Sequence, residues 1–148
     1  MGIYQSFKTD ADLEQRGVIL DFGDYRVRIA RAGGANLRFA RVFEAKTKPF
    51  RRAIQNETLS EDKAKEIAYE SYAEAIVLGW DTPVDNGDGT VRYEPYILDD
   101  EGNQIPYSKE NVIKTFKEVP DFFLTMQAEA QRVSNFRREA QEDEAKNS

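Results

Sequence analysis

Residues 17–45, GVILDFGDYRVRIARAGGANLRFARVFEA, pass from a two-residue period to a helical one within one stretch, and that change decides the fold class. Val18, Ile19, Leu20 and Phe22 form an apolar strand, and Tyr25, Val27 and Ile29 alternate with Arg26, Arg28 and Arg31 in a second. Gly23-Asp24 lies between them as a two-residue turn of the kind that closes an antiparallel hairpin. The second strand therefore carries arginines on one face and apolar groups on the other. Gly33-Gly34 breaks the chain, and Asn36 stands where a helix cap belongs. Leu37, Phe39, Ala40 and Phe43 then recur at helical spacing.

Downstream the pattern is mostly helical. Pro49 lacks an amide hydrogen and either kinks this helix or begins another over 50–55. Ser60 followed by Glu61 and Asp62 is a capped start, and Ala64, Ile67, Ala68, Tyr72, Ala75 and Ile76 form the stripe of a helix expected to end at Gly79. Residues 81–107 change character: turn clusters at 85–89 and 99–103 border extended segments, with Pro95 inside one of them. They predict a small, mobile hairpin excursion. Ser108 caps a helix through Val112, Ile113 and Phe116, and Pro120 opens a last one over Phe122, Phe123, Met126, Ala130, Val133, Phe136 and Ala140. The expected fold is α+β, mainly α: a short N-terminal antiparallel β-hairpin, then a helical bundle with a small β-hairpin excursion. Residues 1–16 read as an N-terminal arm, 17–138 as a single domain and 139–148 as a frayed acidic tail.

The 148 residues include no Cys and no His. That removes disulfides, thiol nucleophiles, imidazole bases and the common zinc and haem ligands. An enzyme here would work with carboxylates, Lys, Tyr or Ser, so a non-enzyme without cofactor or metal is expected. The acidic turn after Val84 lacks the first and twelfth calcium-loop ligands, because Val84 and Pro95 occupy those places. Gly33-Gly34 lies in no phosphate-loop pattern. No apolar run approaches the ~20 residues of a membrane span, and residues 1–10 lack the pattern of an export signal. A cytoplasmic protein is expected.

Charge is divided along the chain. Residues 1–56 hold 11 Lys and Arg against 6 Asp and Glu, while residues 57–148 hold 10 against 21. Between Arg26 and Arg52 there are nine basic residues and one acid, Glu44. Arg38, Arg41, Arg51 and Arg52 are the candidate partner-binding cations, for an acidic protein or a second copy. The same run, interleaved with Tyr25, Phe39, Phe43 and Phe50, could instead serve a small nucleic-acid-binding regulator, although pI ≈ 4.8 opposes this. The plainest alternative is a solvated surface neutralised within one monomer. Val133, Phe136 and Arg137 on the last helix are a second candidate contact.

Residues 31–80, RAGGANLRFARVFEAKTKPFRRAIQNETLSEDKAKEIAYESYAEAIVLGW, resemble the tail assembly chaperones of long-tailed phages and prophages. The ordered series continues with VLGWD, an Asp/Gly turn, GNQIPYSKEN and VPDFF before a long helix, so the resemblance spans about residues 17–138. It implies a non-enzymatic assembly factor that binds the tape measure protein, helps recruit tail tube protein, acts in the host cytoplasm and is absent from the mature virion; self-association is expected from the divided charge. The segment 82–101 is longer than the brief turn of that pattern.

Overall fold

The computed structural model describes residues 2–137. The hairpin forms as its alternation requires, with β1 (Val18–Asp21) antiparallel to β2 (Arg26–Ile29), Val18 opposite Ile29 and Asp21 opposite Arg26. The Phe22 N–H donates to the Tyr25 carbonyl at 3.0 Å, so Gly23-Asp24 is the two-residue turn, and Gly23 takes a φ of 89° that glycine adopts without strain. Val18, Leu20, Val27 and Ile29 point into the core, while Arg26 and Arg28 are half-buried on the other face.

Before this hairpin lie α1 (Ile3–Phe7) and α2 (Ala11–Arg16). After it come α3 (Leu37–Thr47), a one-turn 3-10 helix (Lys48–Phe50), α4 (Arg51–Gln55) and α5 (Glu61–Ala75). The chain then runs through β3 (Val77–Asp85), β4 (Val91–Glu94), β5 (Tyr96–Leu98) and β6 (Gln104–Pro106). It closes with α6 (Lys109–Glu118), α7 (Pro120–Gln131) and a 3-10 turn (Val133–Phe136). The α+β class with an antiparallel sheet and several helices is therefore as expected. The helix starts follow local chemistry: Ser60 Oγ accepts from the Lys63 N–H, Ser108 Oγ accepts from the Asn111 N–H, and Pro120 opens α7.

Three boundaries differ from expectation. First, α5 stops at Ala75, not Gly79. Ile76 and Val77 are fully buried β-branched residues, and the Ile76 carbonyl accepts from the Ala30 N–H at 2.8 Å, so the sheet takes over the chain there. Asn36 forms no cap for α3. Its Nδ2 donates to the carbonyls of Arg31 (2.8 Å) and Ala75 (3.1 Å), satisfying an otherwise orphaned acceptor at the end of α5.

Second, residues 81–107 are not a detached excursion. The first half of β3 pairs with β2, Val27 opposite Trp80, and its second half pairs with β4, giving the order β1-β2-β3-β4. β5 and β6 form a separate two-stranded sheet. Trp80 Nε1 donates to the Ile105 carbonyl (3.1 Å), Thr82 Oγ1 to the Tyr96 carbonyl (2.6 Å) and the Tyr107 hydroxyl to the Val77 carbonyl (2.8 Å), fastening the second hairpin to the first sheet.

Third, α7 ends at Gln131. Continued as helix, Phe136 would point about 120° away from Ala130, off the buried stripe. The break at Arg132 turns Phe136 inward to full burial, and Asn135 Nδ2 caps the Glu129 carbonyl at 2.9 Å. Ala140 and the expected tail at 139–148 lie outside the described residues.

The core is a sheet face covered by helices. Tyr69 and Tyr72 of α5, Phe116 of α6 and Phe123 of α7 meet edge-on or tilted, with ring centroids 4.8–5.5 Å apart. Such pairs add to the roughly 1.5–3 kcal/mol that burial of each large apolar side chain contributes. The boundary expected at residue 17 also falls inside a stitched unit. The Asp10 N–H donates to the Phe136 carbonyl, the Asp10 carboxylate caps α2, and Glu14 is buried against the strand-to-helix joint.

Candidate functional site

The joint between β2 and α3 positions the basic segment. Gly33 and Gly34 take φ of 134° and 55°, and the Glu14 carboxylate accepts from Thr9 Oγ1 (2.6 Å), the Ala35 N–H (2.9 Å) and Arg31 Nη1 (3.1 Å). Burial pushes the Glu14 carboxyl up, but these three donors and the Arg31 charge outweigh it and hold the group below its usual range. α3 then packs inward through Phe39, edge-on to Tyr72 at 5.3 Å, while Lys46 pairs with Glu74 (3.3 Å) and Glu70 (3.6 Å).

The exposed cations of α3 and α4, with the turn between them, are taken together as the basic ridge. Arg38, Arg41, Arg51 and Arg52 are exposed, as are Lys48, Leu37 and Ile54, and none of these four arginines has an ion pair among the described residues. The structure thus leaves all four arginines singled out from the sequence exposed, two on α3 and two on α4. Arg38 stands near enough to Tyr107 for its charge to oppose the larger upward push of burial on that phenol.

The rest of the basic run is spent internally. Arg26 holds Asp81 through two bonds of 2.8 Å and lies 3.4 Å from the Tyr93 ring centroid. Arg28 reaches the Gly17 carbonyl, and Arg31 holds Glu14. Of the aromatics that might have stacked bases, Phe39 packs against the core.

The second candidate contact is partly or fully withdrawn from solvent. Phe136 is fully buried, which corrects its expected place on a partner surface. Val133 is half-buried, and Arg137 donates to the Ser6 carbonyl at 3.3 Å, tying α1 to the end of the described chain.

Two surfaces escaped sequence reasoning. One is α1, where Ile3, Tyr4 and Phe7 are 70%, 80% and 67% exposed. Three large apolar residues in a polar N-terminal stretch were the available signal. The other is an open groove of about 830 Å³ between the hairpin, the β5–β6 sheet and the α6–α7 junction. Val27, Trp80, Ile97, Ile105 and Phe122 line it with apolar groups, and Asp24, Asp100 and Glu118 stand among its exposed lining. Asp99 also lines it, but its carboxylate accepts from the Glu101 and Asn103 N–H groups and holds the turn between β5 and β6. The residues after Val84 form plain Asx turns, with Asp85 accepting from Gly87 and Asp88 from Thr90.

The family model described as YdaY prophage protein matches residues 34–147. No curated protein and no solved structure matches the chain.

Proposed function

The chain belongs to the YdaY prophage protein family, and from that premise we propose that it is a tail assembly chaperone. In this reading it is a non-enzymatic factor of the host cytoplasm, absent from the finished particle. It covers the tape measure protein and helps recruit tail tube subunits to it. Many copies would each bind with modest affinity, and multivalency along a long helical client would supply the total.

One observation carries the reading. α1 presents Ile3, Tyr4 and Phe7 to solvent while Ser6 is held to Arg137, so an apolar group is displayed on the body of the protein. Three large apolar side chains exposed on one five-residue helix are the kind of surface that supports contact with another molecule. The ordered resemblance of residues 17–138 to the chaperones adds the choice of client.

Co-expression of the full chain with its prophage's tape measure protein tests this. The expected result is a soluble complex in which the client resists proteolysis. Ile3→Ser, Tyr4→Ser and Phe7→Ser together should abolish that protection without altering the circular dichroism of the chain. Unchanged client solubility and proteolysis in the presence of the unsubstituted chain would defeat the reading.

A second reading keeps the ridge for nucleic acid, favoured by its four arginines without ion pairs among the described residues. Its mark would be a gel shift that vanishes steeply as salt rises. No shift at low salt removes it.

A further inference from the structure

The ridge and the groove have opposite chemistry. The ridge offers Arg38, Arg41, Arg51 and Arg52 beside exposed Leu37 and Ile54. The groove offers an apolar lining with Asp24, Asp100 and Glu118 exposed around it. We propose that the groove of one copy receives the α3–α4 ridge of a second copy.

A chain cannot satisfy its groove with its own ridge. No residue of α3 or α4 lines the groove, and α3 is pinned elsewhere by Phe39 on Tyr72 and by Lys46 on Glu70 and Glu74. The acids of the groove are open to an incoming cation: Asp24 and Asp100 have no ion pair among the described residues, and Glu118 meets Lys114 only at 3.9 Å with both side chains well exposed. Apolar lining with a charged border is the anatomy of a protein–protein contact, where desolvated apolar groups give affinity and the charges give register.

The two surfaces are different patches, so the contact is heterologous. Each added copy leaves one groove and one ridge unfilled, and the assembly grows as a chain unless its rotation closes a ring. The chaperone reading calls for many copies on one client, but the client takes no part in the test. Failure of this contact and failure of that reading are therefore distinguishable.

Sedimentation velocity of the purified full chain, across concentration and salt, is the experiment. Species larger than dimers should form as concentration rises at low salt and retreat at high salt, because the ionic partners lie near solvent. Arg51→Glu with Arg52→Glu should weaken association tenfold or more, and Asp100→Lys with Glu118→Lys should do the same. Mixing these two double variants should restore growth, since copies of the two kinds alternate and every contact between them pairs opposite charges. A chain carrying all four reversals should regain association. The milder Arg51→Gln/Arg52→Gln pair, checked by circular dichroism, guards against misfolding and should weaken association in the same direction. A monomer at every concentration overturns the proposal, and so does association that either double reversal leaves intact. A monomeric chain whose groove instead binds a synthetic basic amphipathic peptide also overturns it, in favour of a foreign helix.

Discussion

Arg26, Arg28 and Arg31 belong to the same basic run as Arg38, Arg41, Arg51 and Arg52, yet the two halves meet opposite fates. The strand half is consumed: Arg26 grips Asp81 under the Tyr93 ring and Arg31 grips buried Glu14. The helical half stands in solvent without an ion pair among the described residues. The difference lies in the backbone around each arginine. On a half-buried sheet face an arginine is partly desolvated and must be matched by a carboxylate or carbonyl, whereas on the outer side of a short helix water suffices. Charge density along a sequence thus reports neither function nor stability until the partners are known.

The sharpest way to break this contrast is to remove the acid that anchors the strand half. Glu14→Ala leaves Thr9, Arg31 and the Ala35 N–H without their common acceptor. We expect a loss of about 3 kcal/mol, at the lower end for a broken buried pair because Arg31 retains access to water. The midpoint of urea unfolding measures it. Gly34→Ala attacks the same knot from the backbone. Its Cβ would overlap Glu14 Oε2 and crowd Arg31, at a φ of 55° that alanine resists. About 2 kcal/mol is expected.

Acid titrates the knot without mutation. The folded Glu14 carboxyl lies below its ordinary range, so the folded state binds its proton less tightly than the unfolded state does. Its stabilisation is complete above the ordinary glutamate pKa of about 4.3 and disappears as pH falls through the lower folded value. Unfolding midpoints across pH 3–6 should therefore fall more steeply on the acid side for the unsubstituted chain than for Glu14→Gln. Parallel profiles would show that Glu14 is not the group responsible. A smaller effect is expected at Arg26→Ala, about 1–2 kcal/mol, from loss of the two-bond grip on Asp81 and the contact with Tyr93.

What the sequence disclosed follows the same division between local and distant causes. The Gly23-Asp24 turn and the starts at Ser60, Ser108 and Pro120 were legible because each is decided by a few adjacent residues. The end of α5 was not, because it depends on Ala30 capturing the Ile76 carbonyl from a strand far back in the chain. Phe136 matched a helical spacing that the chain abandons at Arg132 in order to bury the ring. The ridge was visible as charge, but which arginines stay free depends on Asp81, 55 residues beyond Arg26, and on a glutamate in a stretch that reads as an arm. The groove draws on the hairpin, β3, the β5–β6 sheet and the α6–α7 junction, so no single window carries its pattern.

The smallest expected effect is the most discriminating. Arg38→Ala, Arg41→Ala, Arg51→Ala and Arg52→Ala should each change folding stability by no more than about 0.5 kcal/mol, since no ion pair or buried contact among the described residues is lost. Against Arg26→Ala this is a contrast in kind. If one ridge substitution destabilises the monomer as much as Arg26→Ala does, the ridge is structural and its charge is already spent. Dilute solution is essential, because self-association through the ridge would add apparent stability by mass action and make the substitutions look costly. A cost that appears only at high protein concentration, and fades with salt, would place these arginines between molecules.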